Sequence, residues 1–447
     1  MTAVSDPLEL LADLLAAARK AGADSADAVF FEAASLEVAQ RLGKSEKLER
    51  SESRDLGLRV MVGRRQAIVS TTDFARASLD PLVERAMAMA RAAPEDPYCG
   101  IADADQIATD VETLDICDPE EPETESLVAR AAEAEDAARA VEGVTNSEGA
   151  EAGWSRSTIA LAATNGFAQR YATSSQSVAA SVLAGEGTAM ERDYDFHTAV
   201  YGGDLRTAAE IGRNAGERAV RRLGARKVET AQVPVVYDRR VAGGLLRHLA
   251  GAIGGPSVAR GTSFLKDRLG ERVFPKGIDI VDDPHRPRGL RSKPFDAEGV
   301  ANARRMAVED GVLQTWILDL ASARQLGLET TGHASRGTAS PPSPAVSNLW
   351  MQPGALSPAT LIGEIESGFY VTELIGMGVN GVTGDYSRGA TGYWIEKGEI
   401  AYPVSEVTVA GNLKDMFAKL TPADDLEFRS GVDAPTIRID GMTIAGI

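Results

Sequence analysis

Two cysteines, four histidines and no apolar run long enough to cross a bilayer are what this 447-residue chain has least of. Cys99 and Cys117 cannot build a disulfide framework and are too few for a four-thiolate zinc cluster. They fit a reducing compartment, so a cytoplasmic protein is the expectation. A spanning helix needs about 18–20 apolar residues, and none is present. The opening MTAVSDPLELLADLL lacks a basic region before its apolar part and carries acids within it, so it does not read as a secretory leader. Positive charge is also short: 47 Lys and Arg stand against 65 Asp and Glu, a formal net charge of −18. That excludes the basic footprint required to bind nucleic acid or an anionic membrane. His197, His248, His285 and His333 form no H-x-x-x-H pair. There is no P-loop and no G-x-S-x-G nucleophile elbow, which HASRG at 333–337 misses by its first residue.

What is present is enough to fold. Hydrophobic residues are 44% of the chain and charged residues 25%, values of globular domains rather than disordered tails. Residues 6–22 carry leucine and alanine at helical spacing, with Asp6 as N-cap, Pro7 in the first turn and Gly22 as stop. ADAVFFEAASLEVAQRLG reads as strand, SESRDLGLRVMVGRRQAIVSTTD as a hairpin turning at Gly63-Arg64, and 78–92 as a helix. Residues 103–125 hold ten acids and no Lys or Arg, the composition of a solvated linker or surface loop. A helix from Pro122 to about Val141 follows. Asn165-Gly166 then separates two alternating runs, which predicts a type I′ hairpin with positive φ at both residues. Residues 207–222 read as helix and QVPVVYD as a buried strand opening a new domain. Beyond about 270 strands and turns dominate, with hairpins at Asp310-Gly311 and Lys397-Gly398 and an irregular surface excursion over 337–358. The expected fold class is α+β, an N-terminal region of sheet plus helices followed by a mostly β C-terminal domain. The expected segments are 1–100, an acidic linker and middle α+β segment at 101–225, and a β-rich 226–447.

GMGVNG at 376–381 matches G-x-G-x-x-G, but a pyrophosphate site needs a helix directly after it. The chain continues VTGDYSRGATGYW, β-branched and glycine-rich, so the glycines point to a tight turn or to close approach of an extended ligand. The other glycine-framed stretch is GGLLRHLAGAIGG, 243–255. It predicts a helix over 240–253 stopping at Gly254-Gly255, in which Gly243, Gly244 and Gly251 each cost about 1 kcal/mol against alanine. Close packing against another element would offset that cost.

GGLLRHLAGAIGG resembles the central helix of the TldD/PmbA family, whose members pair as TldD-like and TldE-like (PmbA) subunits. SRDLGLRVMVGRRQAIVST, RGTSFLKDRLGERVF, DAEGVANARRMAVEDGVL and TGDYSRGATGYWIEKGEIAYPVSEVTVAGN carry the resemblance over nearly the whole chain. In TldD-like subunits this helix bears LL-H-E-x-x-G-H, two zinc-binding histidines and a glutamate that activates water. Aligned on Leu245-Leu246 and Gly251, those three positions hold Arg247, His248 and Ala252. Arg247 is permanently cationic and Ala252 has no donor atom. The tail FRSGVDAPTIRIDGMTIAG also lacks the cysteine of the TldD-like pattern.

The resemblance therefore implies a TldE/PmbA-type subunit with no catalytic or metal-binding residue and no cofactor of its own, zinc belonging to a TldD-like partner. It implies a cytoplasmic metallopeptidase heterodimer acting on peptides and unfolded segments, active only with that partner. On this reading Arg247 and His248 serve structure or an interface. Gly376, Gly378, Asn380, Gly384, Asp385, Tyr386, Ser387 and Arg388 are candidates for a peptide groove, where an extended peptide would add as a strand to an open sheet edge. Two alternatives stay open: a stand-alone homodimeric peptide-binding adaptor, and a peptidase whose zinc ligands are scattered in sequence.

Overall fold

The computed structural model describes residues 6–446, so the first five residues of the leader reading lie outside the described residues. Strand makes up 39% of the chain and helix 24%, an α+β fold. Helix α1 (Pro7–Lys20) opens it, with Asp6 accepting from the Leu8 amide as N-cap. Strands β1 (Ser25–Arg41), β2 (Lys44–Val62) and β3 (Arg65–Thr71) follow, then α2 (Arg76–Ala92) and α3 (Thr124–Arg139). After them come β4 (Val144–Ala163), β5 (Ala168–Ala184), β6 (Glu191–Ala199) and α4 (Ala208–Arg221). The six strands form one antiparallel sheet in the order β3-β2-β1-β4-β5-β6.

Alternation sets what the sheet buries. Phe30 lies opposite Leu56 and Ala160, and this face packs on the apolar stripes of α1 and α2. Val178, Ala180 and Val182 of β5 meet Ala134, Ala138, Ile211 and Ala215 of α3 and α4. On the opposite face Val29 and Leu161 pack on Phe295 from the C-terminal half.

The second half begins with β7 (Ala231–Tyr237) and α5 (Arg239–Ala252). β7 pairs in parallel with Ser367–Ile375 and antiparallel with Ile437–Ala445. Asp385–Glu396 and Glu399–Asn412 continue the sheet, and Glu399–Asn412 also pairs with Ile437–Ala445, closing the strands on themselves. A five-stranded sheet built on Ile280–Asp283 and Asn348–Met351 lies alongside. α5 contacts strands of both sheets through Ala242, Leu245, Leu246, Leu249 and Ala252.

Two local expectations are corrected and a third holds. Asn165-Gly166 does turn a hairpin, but only Gly166 has positive φ (+100°), so the turn is not type I′; the Ala163 amide reaches across four residues to the Phe167 carbonyl. The stretch 337–358 is not surface throughout, because Asn348–Met351 is a fully buried strand. α5 does end just before Gly254-Gly255, as the sequence predicts. Ile253 caps it, and a short helix Gly255–Ala259 follows, where a Cβ on Gly255 would lie 2.2 Å from Ser322 Oγ.

Buried ion pairs join the halves. Asp27 on β1 accepts from Arg59 (Nε, 2.8 Å) and from Arg336 of the C-terminal half, and Arg59 stands 3.8 Å from Glu298. At the other end Asp193 of β6 pairs with Arg240 of α5 at 3.0 Å, and Asp195 with Arg429 at 2.9 Å.

Candidate functional site

α5 forms where the sequence predicts it, with Asp238 accepting from the Arg240 amide as N-cap. Its three glycines do not share one cause. A Cβ on Gly243 would lie 2.4 Å from the Val432 carbonyl oxygen, so this turn of helix rests against the neighbouring sheet. Gly244 and Gly251 face open space.

Arg247, His248, Gly251 and Ala252 line a cavity of about 270 Å³ together with Ser257, Thr262, Phe264, Met377, Val379, Gly381, Arg388 and Leu413. Burial, then the Arg388 and Arg247 guanidiniums, push the His248 imidazole below its ordinary pKa, so it is neutral at pH 7. Its ring meets Tyr386 edge to face at 5.9 Å. Arg247 donates to Ser430 Oγ at 3.3 Å and Arg388 to the Ile375 carbonyl at 3.3 Å.

The groove candidates divide. Arg388 reaches the cavity, while Tyr386 is 2% exposed and packs beneath His248. Burial raises the Tyr386 phenol pKa. Asn380 Oδ1 accepts from the Val382 amide, and Asp385 accepts from Thr383 Oγ1 and Asn412 Nδ2. Those two bonds hold the Asp385 carboxyl below its ordinary range. Both side chains are thus taken up in shaping the loop. Gly376 and Gly384 have positive φ (+82° and +86°), and a Cβ on Gly378 would lie 2.1 Å from the Ser387 carbonyl oxygen. Ser387 itself is exposed, and its amide donates to the Gly378 carbonyl.

The expected strand addition fails at this place. Asp385–Arg388 pairs with Val409–Asn412 on one side, and on the other the 376–384 loop folds back through the bridge Val379 to Tyr386. No free edge remains there. Nor does a helix follow GMGVNG, so no pyrophosphate site exists at that loop.

Sequence reasoning missed Ser257, Thr262, Phe264, Met377 and Leu413. Thr262 and Phe264 stand in RGTSFLKDRLGERVF, one of the stretches carrying the family resemblance, and Met377 stands within GMGVNG. Nothing local marks any of them as lining. Met377 (91% exposed), Ile375 (60%) and Val382 (54%) leave an apolar rim beside the cavity.

The zinc that the family resemblance implies finds no set of ligands among these side chains. At the three helix positions one neutral imidazole stands between a guanidinium and a methyl group, a donor set that does not fit a divalent cation. Among the described residues no three His, Cys, Asp or Glu side chains gather as a metal set.

Family profiles match in three consecutive pieces: PmbA/TldA metallopeptidase domain 1 over 26–90, its central domain over 117–223 and its C-terminal domain over 230–446. Metalloprotease PmbA of Escherichia coli O157:H7 is 38% identical over 425 residues, 95% of this chain and 92% of that protein. A crystal structure from Bacteroides thetaiotaomicron superposes with a TM-score of 0.91 at 26% identity, covering 98% of each chain. TldE from Thermococcus kodakarensis shares the fold at 0.86 and 19% identity, covering 98% of this chain and all of that one. With the α+β architecture and the α5 helix described above, these matches establish that the chain belongs to the PmbA/TldD metallopeptidase family.

Proposed function

We propose that this chain is the metal-free half of a two-subunit zinc peptidase, forming part of the wall and the substrate-holding surface for peptides and unfolded segments. The observation that carries the reading is α5. Where a zinc-bearing relative needs two imidazoles and a carboxylate, this helix presents Arg247, His248 and Ala252 to a cavity that Arg388 shares. Two fixed cations around one imidazole repel a metal ion, while they attract carboxylates and polarised carbonyls. The apolar rim of Ile375, Met377 and Val382 supports a partner subunit seated over the cavity, since exposed apolar groups of this kind favour burial.

The test is metal content and peptide cleavage of the chain alone, then mixed with a zinc-bearing TldD-like subunit. No bound zinc alone, with cleavage only in the mixture, is expected. Stoichiometric zinc or cleavage by the single chain overturns the reading. A chain that dimerises and binds peptide, yet gives no cleavage with any such partner, is instead the homodimeric adaptor.

A further inference from the structure

The α5 cavity is cationic in an acidic chain. Arg247 and Arg388 enter it from different elements, both act on His248, and no carboxylate lines it. Among the described residues neither guanidinium has an ion-pair partner; each makes one long bond to a neutral oxygen. The arginines that join the two halves behave otherwise, since Arg336, Arg240 and Arg429 each meet an aspartate. Most donors of Arg247 and Arg388 are therefore unspent, beside the Ser257 and Thr262 hydroxyls and an apolar wall of Phe264, Val379 and Leu413.

We propose that this cavity captures the C-terminal carboxylate of a peptide whose last side chain is apolar. The inference rests on the peptide-binding part of the function above and names which end of the peptide this chain holds. A carboxylate matches the planar guanidinium fork and gains charge-assisted bonds from both sides. At about 270 Å³ the space falls below the roughly 300–1,000 Å³ of sites for whole small molecules, a size suited to a terminal residue. The neighbouring strand edge is filled by the 376–384 loop, so a peptide arriving here cannot be held by backbone pairing at Asp385–Arg388. An inorganic anion would satisfy the arginines and leave the apolar wall wet.

The experiment is fluorescence anisotropy of the full chain with an N-terminally labelled pentapeptide ending in leucine, as free acid and as C-terminal amide. The acid is expected to bind at least about tenfold tighter than the amide, the scale of a charge-assisted bond. Arg388→Gln and Arg247→Gln should each weaken the acid about tenfold and leave the amide unchanged. Gly251→Leu, whose side chain would enter the cavity from open space, should abolish acid binding with both arginines kept. Equal binding of acid and amide, no binding of either, or displacement by inorganic phosphate as readily as by unlabelled peptide acid overturns the proposal. The acid–amide comparison uses the unmodified chain and so survives any variant that fails to fold. Equal binding of acid and amide leaves the two-subunit reading standing, whereas acid-selective binding without cleavage in the mixture does the reverse.

Discussion

Gly243 and Gly244 are neighbours in α5 under opposite constraints. Gly243→Ala would drive a methyl group into the Val432 carbonyl and should destabilise the fold by about 1–3 kcal/mol, the cost of overpacking. Gly244→Ala meets nothing and should stabilise it by about 1 kcal/mol through helix propensity. Urea unfolding midpoints that move in opposite directions check the pair. Composition revealed that glycine is costly in this helix, but not which glycine touches a neighbour, because that neighbour, Val432, is almost two hundred positions away. His248 shows the same limit. Its place on the helix was legible, whereas its neutrality comes from burial and from Arg388, brought in by another strand. An NMR titration should place its midpoint below 6.5 and move it upward in Arg388→Gln, where one of the two repelling charges is gone.

Elements were legible wherever local chemistry decides them. Asp310-Gly311 and Lys397-Gly398 have positive φ at both residues, as two-residue hairpins require. β2 was half hidden: its first ten residues, KSEKLERSES, are exposed on both faces, so no alternation marks them, and pairing with β1 alone makes them strand. Asn348–Met351 was hidden for the converse reason, since a four-residue strand buried on both faces has no alternation and lies among prolines. The short helix Leu320–Leu326 carries a pH effect. Its Leu320 amide donates at 2.8 Å to Glu298, whose pKa is pushed up to about 8 by burial and then by the nearby Asp296. Between the ordinary value of 4.5 and about 8 the native state holds a proton that the unfolded chain releases. Stability therefore falls as pH rises through that window. Glu298→Gln keeps the acceptor, so it should flatten this slope and raise the melting temperature at pH 8 relative to the native chain.

At the scale of the molecule, two halves with separate cores meet through buried charges as well as apolar contacts. Arg336→Ala takes away one of the two guanidiniums on Asp27 and leaves Arg59, so it should cost about 1.5–3 kcal/mol, the scale of a hydrogen bond to a charged group. Arg336→Ala with Asp27→Ala should cost less than the sum of the single changes in a double-mutant cycle. No periodicity in the sequence marks this pairing; Arg336 stands in a turn-rich stretch and Asp27 in an ordinary strand. The closed sheet of the second half has a consequence for how the chain is made. Tyr237 on β7 pairs with Ile437, and the ring of strands shuts only when Ile437–Ala445 meets both β7 and Glu399–Asn412. During synthesis β7 and α5 leave the ribosome long before the strand that completes their surroundings, and contacts so distant in sequence form slowly. The cavity is thus among the last parts of the molecule to exist, and a nascent chain halted before Ile437 should expose the apolar face of α5 to chaperones rather than to peptide.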